Sequence, residues 1–139
     1  MTRCLAAVIL FSCVVCVARG GEPIKDAPSV IHLASGKDVK VLSVMRTSLQ
    51  ESDEPAVSLQ YVTEISMSDT YKVYREAEEV FAALRPIAER EKVRAAVVVA
   101  NEPASGFLSF SKGAGFTWKQ RTDGSWSVPE AWDHARVPK

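Results

Sequence analysis

The chain has 139 residues, with 17 Lys and Arg against 17 Asp and Glu. Zero formal charge without a basic block argues against a nucleic-acid partner, whose binding depends on phosphate neutralisation. All three cysteines (Cys4, Cys13 and Cys16) fall within residues 1–20, so the remainder has no disulfide framework, thiolate nucleophile or cysteine metal site.

Residues 1–20 read as a leader. Arg3 and the free amino group precede an apolar run from Cys4 to Ala18, and Ala18 and Gly20 supply small residues at the −3 and −1 positions of a cleavage site. The run is shorter than the roughly 20 residues of a spanning helix. The expectation is a cleaved secretory signal and a secreted or periplasmic protein. An uncleaved N-terminal membrane anchor is the alternative, and membrane contact is expected only through it. A lipoprotein signal at Leu10-Phe11-Ser12-Cys13 is disfavoured by Phe11, the short leader and the apolar Val14-Val15 beyond it. Losing Arg3 and Arg19 changes the balance to 15 positive against 17 negative charges, a net of −2. Without disulfides the domain has to be held by its apolar core, and a chain of this size buries about two-thirds of its unfolded surface.

Residues 21–38, with Pro23 and Pro28 among polar neighbours, are expected to be a mobile or edge segment, with a short edge strand at Val30–Leu33. A single α+β domain is expected over 39–132 and a C-terminal tail over 133–139. "VKVLSVMRTSL" from Val39 has the β-branched and apolar content of a strand partly covered on both faces. "QESDEPA" breaks it. In "VSLQYVTEI", Val57, Leu59, Tyr61, Thr63 and Ile65 alternate with Ser58, Gln60 and Glu64, the pattern of a half-buried strand.

A helix follows, with Ser68 or Asp69 as N-cap. Val73, Ala77, Val80, Phe81, Leu84, Ile87 and Ala88 form a stripe about 120° wide. Pro86 falls on the opposite, solvent face, where Ala82's freed carbonyl can turn to water. One helix bent at Pro86 is therefore expected rather than two. "AAVVVA" (Ala95–Ala100) is apolar on both faces and reads as a central strand, parallel to the Val57 strand because the helix carries the chain back. The Val39 strand is expected between the two. The expected fold is α+β: an antiparallel sheet of four to six strands, one long amphipathic helix on one face, element order ββαβ(β)ββ and spatial order 2-1-3-4-5.

"KGAGFTWKQRTDGSW" (Lys112–Trp126) resembles a phosphate loop only superficially. Its lysine precedes the glycine instead of following it, and no helix start follows Gly115. As a hairpin it has two registers. A two-residue turn at Asp123-Gly124 splits the aromatic residues between faces. A three-residue loop, Thr122-Asp123-Gly124, pairs Trp126 with Gln120 and puts Phe116, Trp118, Trp126 and Val128 on one face. Burial selects the second, and Gly124 stands where that turn needs a left-handed residue.

Chemistry-bearing constellations are sparse. His32 and His134 are far apart and lack ligand spacing, so no metal site and no cofactor are expected. Ser109, His134 and Asp133 make a triad only on paper, since adjacent Asp and His do not support one another. Glu76 and Glu79 are read as a solvated helix face. The long connection Asn101–Gly115 carries Phe107, Leu108 and Phe110, either as a short strand packed into the sheet or as a lip over a ligand, with Lys112 at its base. One helix covers one sheet face only, so the other needs the N-terminal segment, the tail around Trp132, or another chain. The functional expectation is an exported, non-catalytic binding module for an unknown protein partner or small apolar ligand, using Phe107, Leu108, Phe110, Lys112 and Trp132. Homo-oligomerisation through the open sheet face is also compatible. The alternatives are a small hydrolase or isomerase with a fold-assembled site, and a structural or assembly subunit.

Overall fold

The computed structural model describes residues 18–103 and 112–129. In chain order the elements are β1 (Ala18–Pro23), β2 (Val30–His32), β3 (Asp38–Leu49), β4 (Pro55–Val62), α1 (Thr70–Arg90), β5 (Ala95–Asn101) and β6 (Gly113–Lys119). Among the described residues this is an α+β fold, one helix packed against a six-stranded sheet. In β4 the two-residue period decides which side chains go inside. Val57, Leu59 and Tyr61 are fully buried, as is Thr63 just beyond, whereas Gln60 faces solvent.

The sheet is mixed, which corrects the antiparallel expectation. Its order is β1-β3-β4-β5-β6, with β2 pairing β3 off that path. β4 and β5 are parallel neighbours in the register Val57↔Ala96, Leu59↔Val98 and Tyr61↔Ala100, and every other pair is antiparallel. The spatial order 2-1-3-4-5 is therefore wrong, because the Val39 strand flanks the parallel pair instead of separating it. β3 alternates buried Val39, Val41 and Val44 with exposed Lys40, Leu42 and Arg46, a pattern suited to a flank. β5 is buried along most of its length and takes the interior position. β1 is also unanticipated. Within the segment expected to be mobile or edge, Glu22 pairs with Arg46 and Pro23 with Met45 beyond a bulge, at the edge of the sheet. At that bulge a Cβ on Gly21 would lie 2.6 Å from the Arg46 carbonyl, so only glycine admits this approach.

α1 runs unbroken through Pro86, as one helix rather than two. Ala82 and Pro86 are both exposed, which lets water serve the carbonyl that proline cannot reach. Asp69 is the N-cap and accepts from the Lys72 amide at 3.4 Å. At the other end the Lys92 and Val93 amides donate to the Glu89 and Ala88 carbonyls at 3.1 Å, a Schellman closure with Lys92 in the left-handed region at φ 60°. Val73, Ala77, Val80, Phe81, Leu84 and Ala88 are buried as the stripe requires, with Ile87 packed against them.

The C-terminal turn takes the three-residue form. Gln120 bridges Trp126, the Arg121 amide donates to the Ser125 carbonyl at 2.7 Å, and Gly124 has φ 89°. Trp118 stacks on Phe81 at 4.4 Å between centroids, and Trp126 meets Phe81 edge-on at 5.4 Å. The rings thus pack on the helix, while Val128 at the end of that face is exposed. On the opposite sheet face Leu49, Ala56, Ala95 and Val97 are buried together, with Val99 against them.

Candidate functional site

Of the residues expected to bind, Phe107, Leu108, Phe110 and Trp132 lie outside the described residues. So do Ser109, Asp133 and His134 of the paper triad. Lys112 is described, and its side chain is exposed. Its carbonyl accepts from the Glu102 amide at 2.8 Å and, with the Asn101↔Gly113 pair, closes the base of the connection. Because Gly113 to Gly115 belong to β6, that connection spans only 102–112. His32 pairs with Asp38 across β2 and β3, with both side chains exposed. Among the described residues no group of three His, Cys, Asp or Glu side chains is placed to hold a metal ion. No helix among them is long and apolar enough to cross a membrane.

The structure draws attention instead to Glu76, which sequence reasoning placed on a solvated face. Glu76 is only 5% exposed. The β2–β3 turn folds over this flank of α1 and covers it. The turn is tight, with the Leu33 amide donating to the Lys37 carbonyl at 2.7 Å and the Gly36 amide to the Leu33 carbonyl at 2.9 Å. It is fastened to the helix at two points. Lys37 Nζ donates to Glu76 Oε2 at 2.9 Å, and the Ser35 amide donates to Glu79 Oε2 at 3.2 Å.

The third wall comes from the segment between β4 and α1. Thr63 Oγ1 accepts from the Ile65 amide at 3.0 Å, and Glu102 Oε1 accepts from the Met67 amide at 2.7 Å. These contacts fix Ile65 opposite Leu33. A cleft of about 220 Å³ results, lined by Leu33, Ser35, Lys37, Ile65, Lys72, Arg75, Glu76 and Glu79. Its helix wall is the i, i+3, i+4, i+7 row 72, 75, 76 and 79, a single stripe along α1.

In the helix wall Glu76 Oε1 is buried without a hydrogen bond of good geometry, and so is the Tyr61 hydroxyl beside the Glu76 carboxylate. Burial pushes the Tyr61 hydroxyl far above the usual tyrosine range. The Glu76 carboxylate, by its charge and as the acceptor for the hydroxyl, and then Glu79 push it the same way. Tyr61 therefore stays neutral near physiological pH, able both to donate and to accept. It lies beside the Glu76 carboxylate, the acceptor its hydroxyl faces, without a hydrogen bond of good geometry to any group. A buried carboxylate oxygen without a full hydrogen bond costs about 1–3 kcal/mol or more, so Glu76 at this place calls for a reason beyond core packing.

A second cleft of about 400 Å³ lies between β1, β3 and the C-terminal end of α1. Its charges balance, Lys25, Arg46 and Arg90 against Glu22, Asp26 and Glu91. Arg46 Nη1 donates there to the Glu91 carbonyl at 3.2 Å and to its carboxylate at 3.0 Å. It holds no buried unpartnered group among the described residues.

Compared with known proteins, the chain matches no family model, no curated sequence and no solved structure.

Proposed function

We propose that this chain is an exported, non-catalytic binding module whose ligand enters the cleft between the β2–β3 turn and α1. The observation that carries the site is Glu76: a carboxylate 5% exposed, with one oxygen held by Lys37 and the other without a partner beside the Tyr61 hydroxyl. A cleft with apolar contact, here from Leu33 and Ile65, and convergent polar groups is the usual form of a small-ligand site. Export rests on the leader-like composition of residues 1–20. Binding by Phe107, Leu108, Phe110, Lys112 and Trp132 belongs to the same proposal as a second contact region, for a protein partner or an apolar ligand.

Native mass spectrometry of the protein isolated from culture medium or periplasm tests the reading. A retained small molecule lost on Glu76→Gln supports it. Bare protein in both, or a ligand retained equally by both, overturns it. Convergence of Tyr61, Glu76 and Lys37 also gives the hydrolase or isomerase reading some support. Turnover of an ester or ketone panel that Glu76→Gln abolishes would transfer the site to that reading.

A further inference from the structure

From the charge balance of this same cleft, and resting on the reading above, we infer that its ligand is a primary ammonium on a short alkyl chain. The formal charges at its base do not cancel. One ammonium, Lys37, faces two carboxylates, Glu76 and Glu79, which leaves one negative charge. The two remaining cations of the lining are already matched. Lys72 lies 3.5 Å from Asp69, and Arg75 lies 3.1 Å from Glu78. An uncompensated charge beside a buried group favours a ligand of opposite sign.

The donor–acceptor inventory gives the same answer. An ammonium has three donors and no acceptor. Of the buried atoms without a hydrogen-bond partner among the described residues, Glu76 Oε1 and Tyr61 Oη lie here; the carboxylate oxygen accepts and the hydroxyl can also accept. An anionic or purely accepting ligand would leave the carboxylate oxygen unsatisfied and add repulsion. A quaternary ammonium has no N–H to give. Leu33 and Ile65 supply apolar contact for an alkyl stem, and about 220 Å³ limits the ligand to a compact molecule or one side chain.

Both orphan atoms are closed off from solvent. Lys37 holds the other oxygen of Glu76 from the turn, itself 36% exposed. Lys37 is thus an internal copy of the ligand's own group, and an incoming amine exchanges with it at Glu76.

The test is isothermal titration of the purified protein with n-butylammonium, and with n-butanol, butyrate and tetramethylammonium as controls. Butylammonium is expected to bind at one site, and the three controls at least ten-fold more weakly. Lys37→Met is expected to strengthen butylammonium binding several-fold by removing the competitor, and Glu76→Gln to abolish it. Tyr61→Phe, which removes only a buried hydroxyl and keeps the ring, is expected to weaken it about ten-fold or more, the range of a lost hydrogen bond to a charged group. Nα-acetyl-lysine methylamide separates the two sources of the group. Binding equal to butylammonium shows that a polypeptide lysine can deliver it, and much weaker binding restricts the site to free amines. Butylammonium no better than butanol in both wild type and Lys37→Met overturns the ammonium assignment. If a retained molecule still depends on Glu76, the cleft remains a binding site and only the ligand class is wrong. If neither is seen, both fall.

Discussion

Replacing Lys37 with methionine isolates the energetics on which the site rests. Its ammonium lies 2.9 Å from a carboxylate that is 5% exposed, while the lysine side chain itself is 36% exposed. Methionine keeps most of the stem, but strands a buried charge. Removing one partner of a buried pair costs about 3–5 kcal/mol. The open side of the lysine admits water, so the lower end, about 3 kcal/mol, is expected. Removing the other partner is not equivalent. Glu76→Gln leaves a lysine that can turn to solvent, at a cost of about 1 kcal/mol. Lys37→Met combined with Glu76→Leu removes both charges and is expected within about 1 kcal/mol of wild type. Urea unfolding followed by circular dichroism gives all three values. Equal losses below about 1 kcal/mol for both single variants would show a solvent-screened pair, and the argument from burial would be refuted.

Pro86→Ala restores a donor for the Ala82 carbonyl on an exposed face, and thermal unfolding should show a gain of about 1–3 kcal/mol. Lys92→Gly relieves a left-handed backbone at φ 60° and should stabilise by roughly 1 kcal/mol in the same measurement. Trp118→Ala removes the ring stacked on Phe81 and should cost about 3–5 kcal/mol in urea, with a smaller loss for the half-buried Trp126→Ala. The raised Tyr61 pKa also has a signed consequence. Its stabilising contribution is complete below the unfolded tyrosine value of about 10. Above that, the unfolded chain loses this proton and the native one keeps it. Stability then falls by about 1.4 kcal/mol per pH unit from this group. Unfolding curves at alkaline pH should show that slope in wild type relative to Tyr61→Phe, and identical slopes would contradict the shift.

The sequence made the core legible wherever period and burial agreed. Strict alternation placed Val57, Leu59, Tyr61 and Thr63 inside, and the helical stripe placed Val73 through Ala88. The competition between two turn registers was decided correctly by asking which one buried Trp126. Strand adjacency was not legible, because periodicity reports which face of a strand is covered and not which strand lies beside it. β5 therefore joined β4 where an intervening β3 had been expected. β1 was hidden by its glycines and proline, which suppress any strand signal while serving a bulge.

The site was missed for a related reason. Glu76 falls only about 20° outside the apolar stripe at 100° per residue, and its charge alone led to its being read as solvated. What buries it is the Leu33–Lys37 turn, brought over by pairing between β2 and β3. That is a long-range contact with no local trace. A lysine in that turn, facing a carboxylate at the edge of a helix stripe, was the available signal, and it required the topology to be interpreted.

The central claim is that the functional surface lies where the β2–β3 turn closes on α1. Amide chemical-shift mapping during titration with n-butylammonium tests this most directly. The account predicts shifts concentrated at Leu33–Lys37, Ile65 and residues 72–79, with Tyr61 moving as its hydroxyl acquires a partner. Shifts confined to residues 102–112 and β6, with the turn and helix unmoved, would contradict it.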